Sequence, residues 1–191
     1  EKEKQYKYDS LDNCLEKNNK THIFNAKNQL TQHAKASYSY DSQGNLLRKV
    51  LDKEKTSYSS NVLSQLIAVK KSDKTTVQFS YDPFGRLLVQ KHFAVSKKNK
   101  KTLSTTRYLY MGNTEIGSLE SSEKLATLKV PGMYGKCVAI ELQGTVYAPR
   151  HDIAGNVTAL IDPTTAQIAE EYAYTAFQEE TSKTQLNNPW R

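Results

Sequence analysis

The sequence predicts an all-β protein made of repetitive antiparallel β-hairpins, and three observations lead to that class. First, an aromatic residue followed by Asp or Asn recurs at positions 8–9, 24–25, 40–41 and 81–82. Second, the segments that flank these pairs alternate apolar and polar residues, as half-buried strands do. Third, tyrosine is abundant, with 12 Tyr against 5 Phe and 1 Trp, and its amphipathic ring suits such strands. No segment carries a sustained 3.6-residue apolar stripe, so we expect little helix.

The repeat has a regular spacing in its first half. Copies begin at Tyr8, Phe24 and Tyr40, each 16 residues after the last, and the next clear copy begins at Tyr81. A degraded copy without the aromatic residue occupies residues 60–67. Each copy predicts a strand that ends at the aromatic residue, a tight turn, and a second strand that begins with Leu.

The residue types within each copy predict the turn. Asp or Asn at turn position i accepts hydrogen bonds from the backbone two residues on, and a type I turn favours Gly at i+3. Asp41 with Gly44 fits this pattern, and residues 82–85 fit it with Pro at i+1. Elsewhere the Gly position holds Asp12 or Asn28, residue types that tolerate a left-handed conformation. The residues assigned to turn and repeat roles are Tyr8, Asp9, Phe24, Asn25, Tyr40, Asp41, Gly44, Tyr81, Asp82, Gly85, Asp152 and Gly155.

We expect one continuous repeat structure over residues 1–191, in three stretches. Residues 1–95 carry the regular repeats, and residues 96–145 form less regular hairpins that begin with a Lys-, Ser- and Thr-rich loop at 96–106. Within that stretch, strands are predicted at 126–130 and 138–142, around a turn at 131–135. Residues 146–191 form the last stretch. No stretch is expected to be a separate domain, because a hairpin repeat buries its faces only against its neighbours.

These repeats resemble the Rhs/YD-repeat family, which includes bacterial Rhs polymorphic toxins, the BC component of Tc insecticidal toxins, and animal teneurins. The C-terminal segment adds three motifs in the family's order. Residues 147–162 resemble the segment that opens the Rhs-associated core, with Asn156 where the family usually has Ser. Residues 171–177 resemble the next motif, with Thr175 in the Asp position, and residues 187–191 resemble the Asn-Pro step that follows.

The resemblance implies a strand ribbon that spirals into a hollow YD-shell. In the toxins such a shell encloses a C-terminal toxic domain, and in teneurins it supports adhesion domains. The implied partners are therefore the rest of the same shell and an enclosed C-terminal toxin or effector domain. The self-cleavage site of the family's core, with its catalytic Asp residues, corresponds to positions beyond Arg191, so no catalytic residue is carried over. The implied role is structural, and we expect no enzyme activity.

Charge and composition bear on nucleic-acid binding, membrane insertion and export. The net charge is +7, but the one dense lysine run, at 97–101, has no interleaved aromatic residues to stack on bases, so we expect no specific nucleic-acid site. No apolar stretch approaches 18 residues, so no membrane span is expected. The opening residues show no signal peptide, and the absence of an initiating Met suggests an excised fragment with any export signal upstream. The expected localisation is secreted or cell surface.

The sequence gives little support for a disulfide, a catalytic pair, or a metal or cofactor site. Cys14 and Cys137 are favoured as unpaired structural thiols, although one long-range disulfide stays open. The pair His151-Asp152 has the residue types of a general base and its orienting carboxylate. We favour instead a turn at Asp152 with His151 in the aromatic position. No metal-ligand spacing or phosphate-binding loop is present, so no metal or cofactor is expected.

One alternative function stays open. Exposed tyrosines stack on sugar rings in carbohydrate-binding modules, and a role in binding cell-surface glycans or in adhesion would use such residues. The candidates are Tyr38, Tyr40, Tyr108 and Tyr110. Cross-strand packing of these rings on one another is the favoured interpretation.

Overall fold

A computed structural model describes residues 6–17, 19–95, 100–174 and 185–190. These residues contain seventeen β-strands and one short 3-10 segment, Met133–Gly135. The predicted all-β class, made of antiparallel hairpins, is confirmed. The chain divides into two compact units, residues 1–104 and 105–191. In the described residues, no helix is long and apolar enough to span a membrane.

The first unit is a meander in which each strand pairs antiparallel with the next. Tyrosine, threonine and valine supply much of these strands, as expected for half-buried strand positions. The strands are β1 (Tyr6–Tyr8), β2 (Cys14–Lys17), β3 (Lys20–Phe24), β4 (Leu30–His33), β5 (Ala36–Tyr40), β6 (Leu46–Leu51), β7 (Glu54–Ser60), β8 (Leu66–Lys71), β9 (Thr75–Tyr81) and β10 (Leu87–Val95).

Long and short connections alternate in this unit. Five-residue turns follow β1, β3, β5, β7 and β9, whereas short links of two or three residues follow β2, β4, β6 and β8. Because consecutive strands are antiparallel, all the five-residue turns lie at the same end of the strands. The strand register shifts beside each of these turns, for example between Ser39 and Tyr40. Such a bulge accompanies a type I turn that is closed by a left-handed residue.

The second unit continues the same pattern with longer strands. β11 (Lys100–Met111) leads into it, and β12 (Thr114–Leu119), β13 (Leu125–Pro131), β14 (Cys137–Leu142), β15 (Thr145–His151), β16 (Val157–Ile161) and β17 (Ile168–Glu171) follow. Each pairs antiparallel with its chain neighbour. The predicted strands at 126–130 and 138–142 lie within β13 and β14, so that prediction is confirmed.

One predicted loop is wrong. Residues 100–106 of the expected loop at 96–106 lie in β11, and residues 96–99 fall outside the described residues. β-Branched Thr102, Thr105 and Thr106 favour extended backbone. The Thr105 amide donates to Ser121 Oγ at 2.7 Å, which ties this strand to the second unit. Lysine and serine content therefore marked solvent exposure here and did not mark a loop.

The two units differ in how much they bury. The second unit has a core of five buried side chains, and partly buried aromatic residues pack against it. The core residues are Ile140, Leu142, Val157, Leu160 and Tyr172. In the described part of the first unit, the buried apolar residues are Ala36 and Phe93. Nearly all the other described residues of that unit are exposed or half-buried, as in a sheet with water or another surface over its faces.

Candidate functional site

The five-residue turns of the first unit share one hydrogen-bonded geometry. In the turn that starts at Asp41, the Asp41 amide donates to the Asn45 carbonyl at 2.9 Å, and the Gly44 amide donates back to the Asp41 carbonyl at 3.2 Å. Asp41 Oδ1 also accepts the amides of Gln43 and Asn45, at 3.0 and 2.8 Å. One carboxylate oxygen thus satisfies two amides that the turn would otherwise leave without a protein partner.

The same backbone pattern occurs where the sequence placed its repeats. Turns of this kind start at Asp9, Asn25, Asn61, Asp82 and Asp152. Residue i+3 has a left-handed backbone in each, with φ of 93° at Gly44, 83° at Gly85 and 92° at Gly155. Asp12, Asn28 and Ser64 occupy that position with φ of 60°, 56° and 59°. The copy at residues 60–67 lacks its aromatic residue and still forms an intact turn.

A second contact in these turns joins the side chains at i and i+4. Where i is Asp, the residue at i+4 is a donor: Asn45 Nδ2 lies 2.9 Å from Asp41 Oδ2, and Arg86 Nε lies 2.6 Å from Asp82 Oδ2. Where i is Asn, its amide donates to a glutamine at i+4. These bonds join Asn25 to Gln29 at 2.8 Å and Asn61 to Gln65 at 2.7 Å. The sequence analysis missed this complementarity, although Asp-x-x-x-Asn and Asn-x-x-x-Gln are visible in the sequence.

The hydrogen bonds to the turn carboxylates stabilise their charged form. The side-chain bond from the asparagine at i+4 is the main reason that the pKa values of Asp9, Asp41 and Asp152 lie below the ordinary range, and backbone amides add to it. At Asp82 burial has the largest effect and opposes the charge. The amides and the guanidinium that point at this carboxylate outweigh it, so the pKa of Asp82 is also lowered.

Successive turns of the first unit contact one another, and we call the five turns that start at Asp9, Asn25, Asp41, Asn61 and Asp82 the turn ladder. Asn13 Nδ2 of the first turn donates to Asn28 Oδ1 of the second at 3.3 Å. A Cβ added at Gly44 would lie 3.3 Å from Gln29 Nε2, and one at Gly85 would lie 3.3 Å from Gln65 Nε2. Glycine at i+3 therefore gives both a left-handed backbone and room for the preceding turn's amide.

The tyrosine that precedes a turn also reaches the preceding hairpin. Tyr40 donates its hydroxyl to the Leu30 carbonyl at 2.7 Å, and Tyr81 donates to the Leu66 carbonyl at 2.7 Å. In the second unit Tyr174 makes the equivalent bond to the Val157 carbonyl at 2.8 Å. The acceptor in each case opens the strand after the previous five-residue turn. Phe24 has no hydroxyl and cannot make this bond.

The remaining predicted residues have simpler surroundings. The Tyr8 ring stacks on that of Tyr6 with centroids 6.5 Å apart. Asp152 accepts the amide and side chain of Asn156, at 2.9 and 2.8 Å, so its carboxylate holds a turn and does not orient His151. Thr175 and residues 176–184 lie outside the described residues.

Two of the tyrosines suggested for glycan binding already contact other residues of the chain. Tyr40 uses its hydroxyl within the sheet, and Lys49 Nζ lies 6.0 Å from the centre of the Tyr38 ring. Burial raises the pKa of Tyr108. All four rings are half-buried. Both cysteines are free thiols, and no cluster of three potential metal ligands occurs in the part of the chain that the structure describes.

A family model for the teneurin YD-shell matches residues 1–116. This chain belongs to the teneurin YD-shell family. The matched region contains the whole turn ladder. The resemblance to the Rhs/YD-repeat family is thereby confirmed. No curated protein matches the chain.

Solved structures of Tc toxin components resemble this YD-shell chain. A crystal structure of TcdB2-TccC3-Cdc42 matches with a TM-score of 0.51 and 15% identity, over 82% of this chain and 10% of that one. The Photorhabdus luminescens Tc holotoxin pore, with a mutated TccC3, matches with a TM-score of 0.46 and 14% identity, over 93% and 13%. The first similarity supports the fold alone. The chain spans about a tenth of the length of these structures.

Proposed function

We propose that this chain is a segment of shell wall that encloses or presents a C-terminal toxin or effector domain. Membership of the YD-shell family and likeness to shell-containing complexes point to a structural, non-catalytic role. The observation that carries the proposal is the turn ladder. Each turn is closed by the same backbone bonds, and neighbouring turns lie against each other at Asn13 and Asn28, at Gln29 and Gly44, and at Gln65 and Gly85, so the hairpins form a ribbon that can be extended by further copies.

The exposed side chains fit a ribbon that continues beyond this segment. Val62 and Phe84, at the tips of consecutive turns in the ladder, are 88% and 83% exposed. Apolar tips in neighbouring turns are costly in water and gain free energy when another surface covers them. The proposed partners are the rest of the same shell and the domain inside it, and the proposed location is secreted or at the cell surface.

Protease protection of the cargo tests the proposal. The complete reading frame that contains this chain is expressed with a tag after its last residue, and the tagged region is digested with trypsin. We expect it to survive at least tenfold longer within the complete protein than as an isolated domain, because the wall excludes the protease. The same protein in denaturant is the control. Equal digestion rates with and without the wall would contradict enclosure.

A carbohydrate-binding or adhesion module is the alternative function. It would need open tyrosine faces, and the four candidates are half-buried. A glycan array probed with this chain separates the two hypotheses. Binding that disappears in Tyr38→Ala and Tyr110→Ala variants with unchanged melting temperatures would favour the adhesion role, whereas a blank array would favour the wall.

A further inference from the structure

The second unit contains a thiol and an imidazole that the wall role does not use. Cys137 opens β14 and His151 ends β15, and the β14–β15 hairpin brings them together. Cys137 Sγ lies 3.5 Å from His151 Nε2, and the Cys137 amide donates to the same nitrogen at 3.5 Å. Because Nε2 accepts this amide, the ring proton lies on Nδ1, and the imidazole nitrogen nearest the thiol carries no proton.

The pair lies in the wall of a cavity of about 330 Å³ that Lys129, Lys136 and Trp190 also line. Lys129 Nζ is 5.2 Å from the centre of the Trp190 ring. The Trp190 amide donates to Asn188 Oδ1 at 3.0 Å, and Asn188 is fully buried. The cavity is therefore bounded on one side by an anchored aromatic ring and carries two ammonium groups, a combination that suits a small anionic molecule.

We propose that Cys137 is a site of thiol–disulfide exchange with small anionic disulfides, and that His151 is the base that takes the thiol proton. The proton moves from Sγ to Nε2, and the thiolate attacks one sulfur of the disulfide. A new S–S bond forms as the old one breaks. The second sulfur leaves as a thiolate and takes its proton from the imidazolium or from water, so the disulfide itself is the only oxidant required.

Burial and Lys136 oppose this proton transfer, whereas Lys129 and Asp152 favour it. Burial raises the pKa of the Cys137 thiol, and the nearby Lys129 opposes that rise. Burial and Lys136 lower the pKa of His151, and Asp152 partly offsets them. Between the two pKa values the pair carries a constant number of protons. The fraction present as thiolate and imidazolium is then independent of pH, whereas the fraction of thiolate beside a neutral imidazole rises about tenfold per pH unit.

Cys14 is a matched control within the same chain. Its thiol contacts the Glu16 carbonyl at 3.4 Å, an acceptor that takes up no proton. The two cysteines therefore differ in whether a neighbouring base can take up the thiol proton.

The test measures exchange with 5,5′-dithiobis(2-nitrobenzoate), an anionic aromatic disulfide, between pH 7 and 8. Cys14→Ser leaves Cys137 as the only thiol, and Cys137→Ser leaves Cys14. We expect the rate at Cys137 to rise less than tenfold over this pH unit, because the thiolate–imidazolium fraction does not rise with pH. Adding His151→Gln to Cys14→Ser should slow exchange at pH 7 at least tenfold and restore a tenfold rise, with a thermal melt as the folding control. A tenfold rise at Cys137, or no effect of His151→Gln in a folded variant, would overturn the proposal.

Anion preference is tested separately with 2,2′-dithiodipyridine, a neutral disulfide. The exposed Lys136 is replaced in Lys136→Gln, which should reduce the rate with the anionic probe at least threefold and leave the neutral probe unchanged. Equal effects on both probes would overturn the assignment of an anionic ligand.

Discussion

At the scale of the single residue, the turns depend on a match between positions i and i+4. A carboxylate at i has two oxygens to satisfy, and one of them takes the backbone amides while the other takes a side-chain donor. An asparagine at i has one oxygen and one amide group, so an acceptor at i+4 is required. Charge and hydrogen-bond type at these two positions must therefore change together.

Removing a turn carboxylate tests this bonding. We expect Asp41→Ala to lower the melting temperature of the first unit by about 5 °C, because two amides and the Asn45 side chain lose their acceptor. Glu54→Ala removes an exposed acidic side chain from the same unit and should change the melting temperature by less than about 2 °C. Circular dichroism melts at pH 7 measure both. Equal losses in the two variants would show that the carboxylate does not cap the turn.

Placing like charges at i and i+4 gives a prediction with a pH signature. Asn45→Asp sets a second carboxylate against Asp41 in place of a donor, so we expect a loss of stability at pH 7 at least as large as that of Asp41→Ala. Protonation of one carboxyl should restore a hydrogen bond, so the deficit relative to wild type should shrink between pH 5 and 3. A deficit that stays constant over this range would argue against direct contact between the two side chains.

The expected turn starts and left-handed positions follow from the backbone preferences of Asp, Asn and Gly, whereas the left-handed Ser64 could not be expected on that ground. Single-residue reasoning did not predict the i+4 partners, because asparagine, glutamine and arginine have no turn preference that singles them out. It also missed the contact of His151 with Cys137. Those residues are 14 positions apart, and only the β14–β15 register brings them together.

At the scale of the element, each hairpin is tied to the one before it by side chains and by backbone pairing. The hydroxyls of Tyr40 and Tyr81 reach across to the previous hairpin. Side chains of cross-strand neighbours also contact each other, and one such pair is His22 on β3 and His33 on β4. Their rings lie 4.3 Å apart, and in the described structure the buried Nδ1 atoms of both rings have no hydrogen-bond partner.

This histidine pair predicts a loss of stability in mild acid. Burial, with the charges of His22, Lys20, Lys17 and Lys49, lowers the pKa of His33 below its ordinary 6.5. The unfolded chain therefore binds a proton at higher pH than the folded chain, so stability is full above about pH 6.5 and falls below it. We expect the melting temperature of His33→Gln to decline less than that of wild type between pH 7.5 and 5.

The control for this prediction is His92→Gln. His92 Nε2 lies 2.6 Å from Gln90 Nε2, and it belongs to a different hairpin of the same unit. Its variant also replaces one imidazole by an amide, so an equal flattening of the pH dependence in both variants would show that the effect does not come from the His22–His33 pair.

At the scale of the whole molecule, the predicted all-β class and the positions of the hairpins agree with the structure, because turn chemistry and period-two alternation are local. The strand at 100–106 was missed because its lysines and serines resemble a loop, while its pairing is tertiary. The division into units at 104 and 105 has no counterpart in the repeat pattern, since it depends on where the packed core of the second unit lies.

The exposed turn tips predict how the isolated chain behaves. Val62, Leu63 and Phe84 lie at neighbouring turns and are largely exposed, so the 191-residue chain should self-associate as its concentration rises. Light scattering should show an apparent mass that grows between 5 and 200 μM, and Leu63→Asp with Phe84→Asp should reduce that growth. An unchanging monomer mass for the wild type would indicate that the turn tips need no partner.

The structure of the complete protein, determined by electron cryomicroscopy, would show whether this chain is part of an enclosing wall. We predict that the turn ladder continues into neighbouring ribbon on both sides, that the tips at Val62 and Phe84 contact other parts of the wall, and that density for a C-terminal domain lies inside. A map in which these hairpins stand apart from any enclosing wall, with their turn tips in solvent and no enclosed domain, would contradict it.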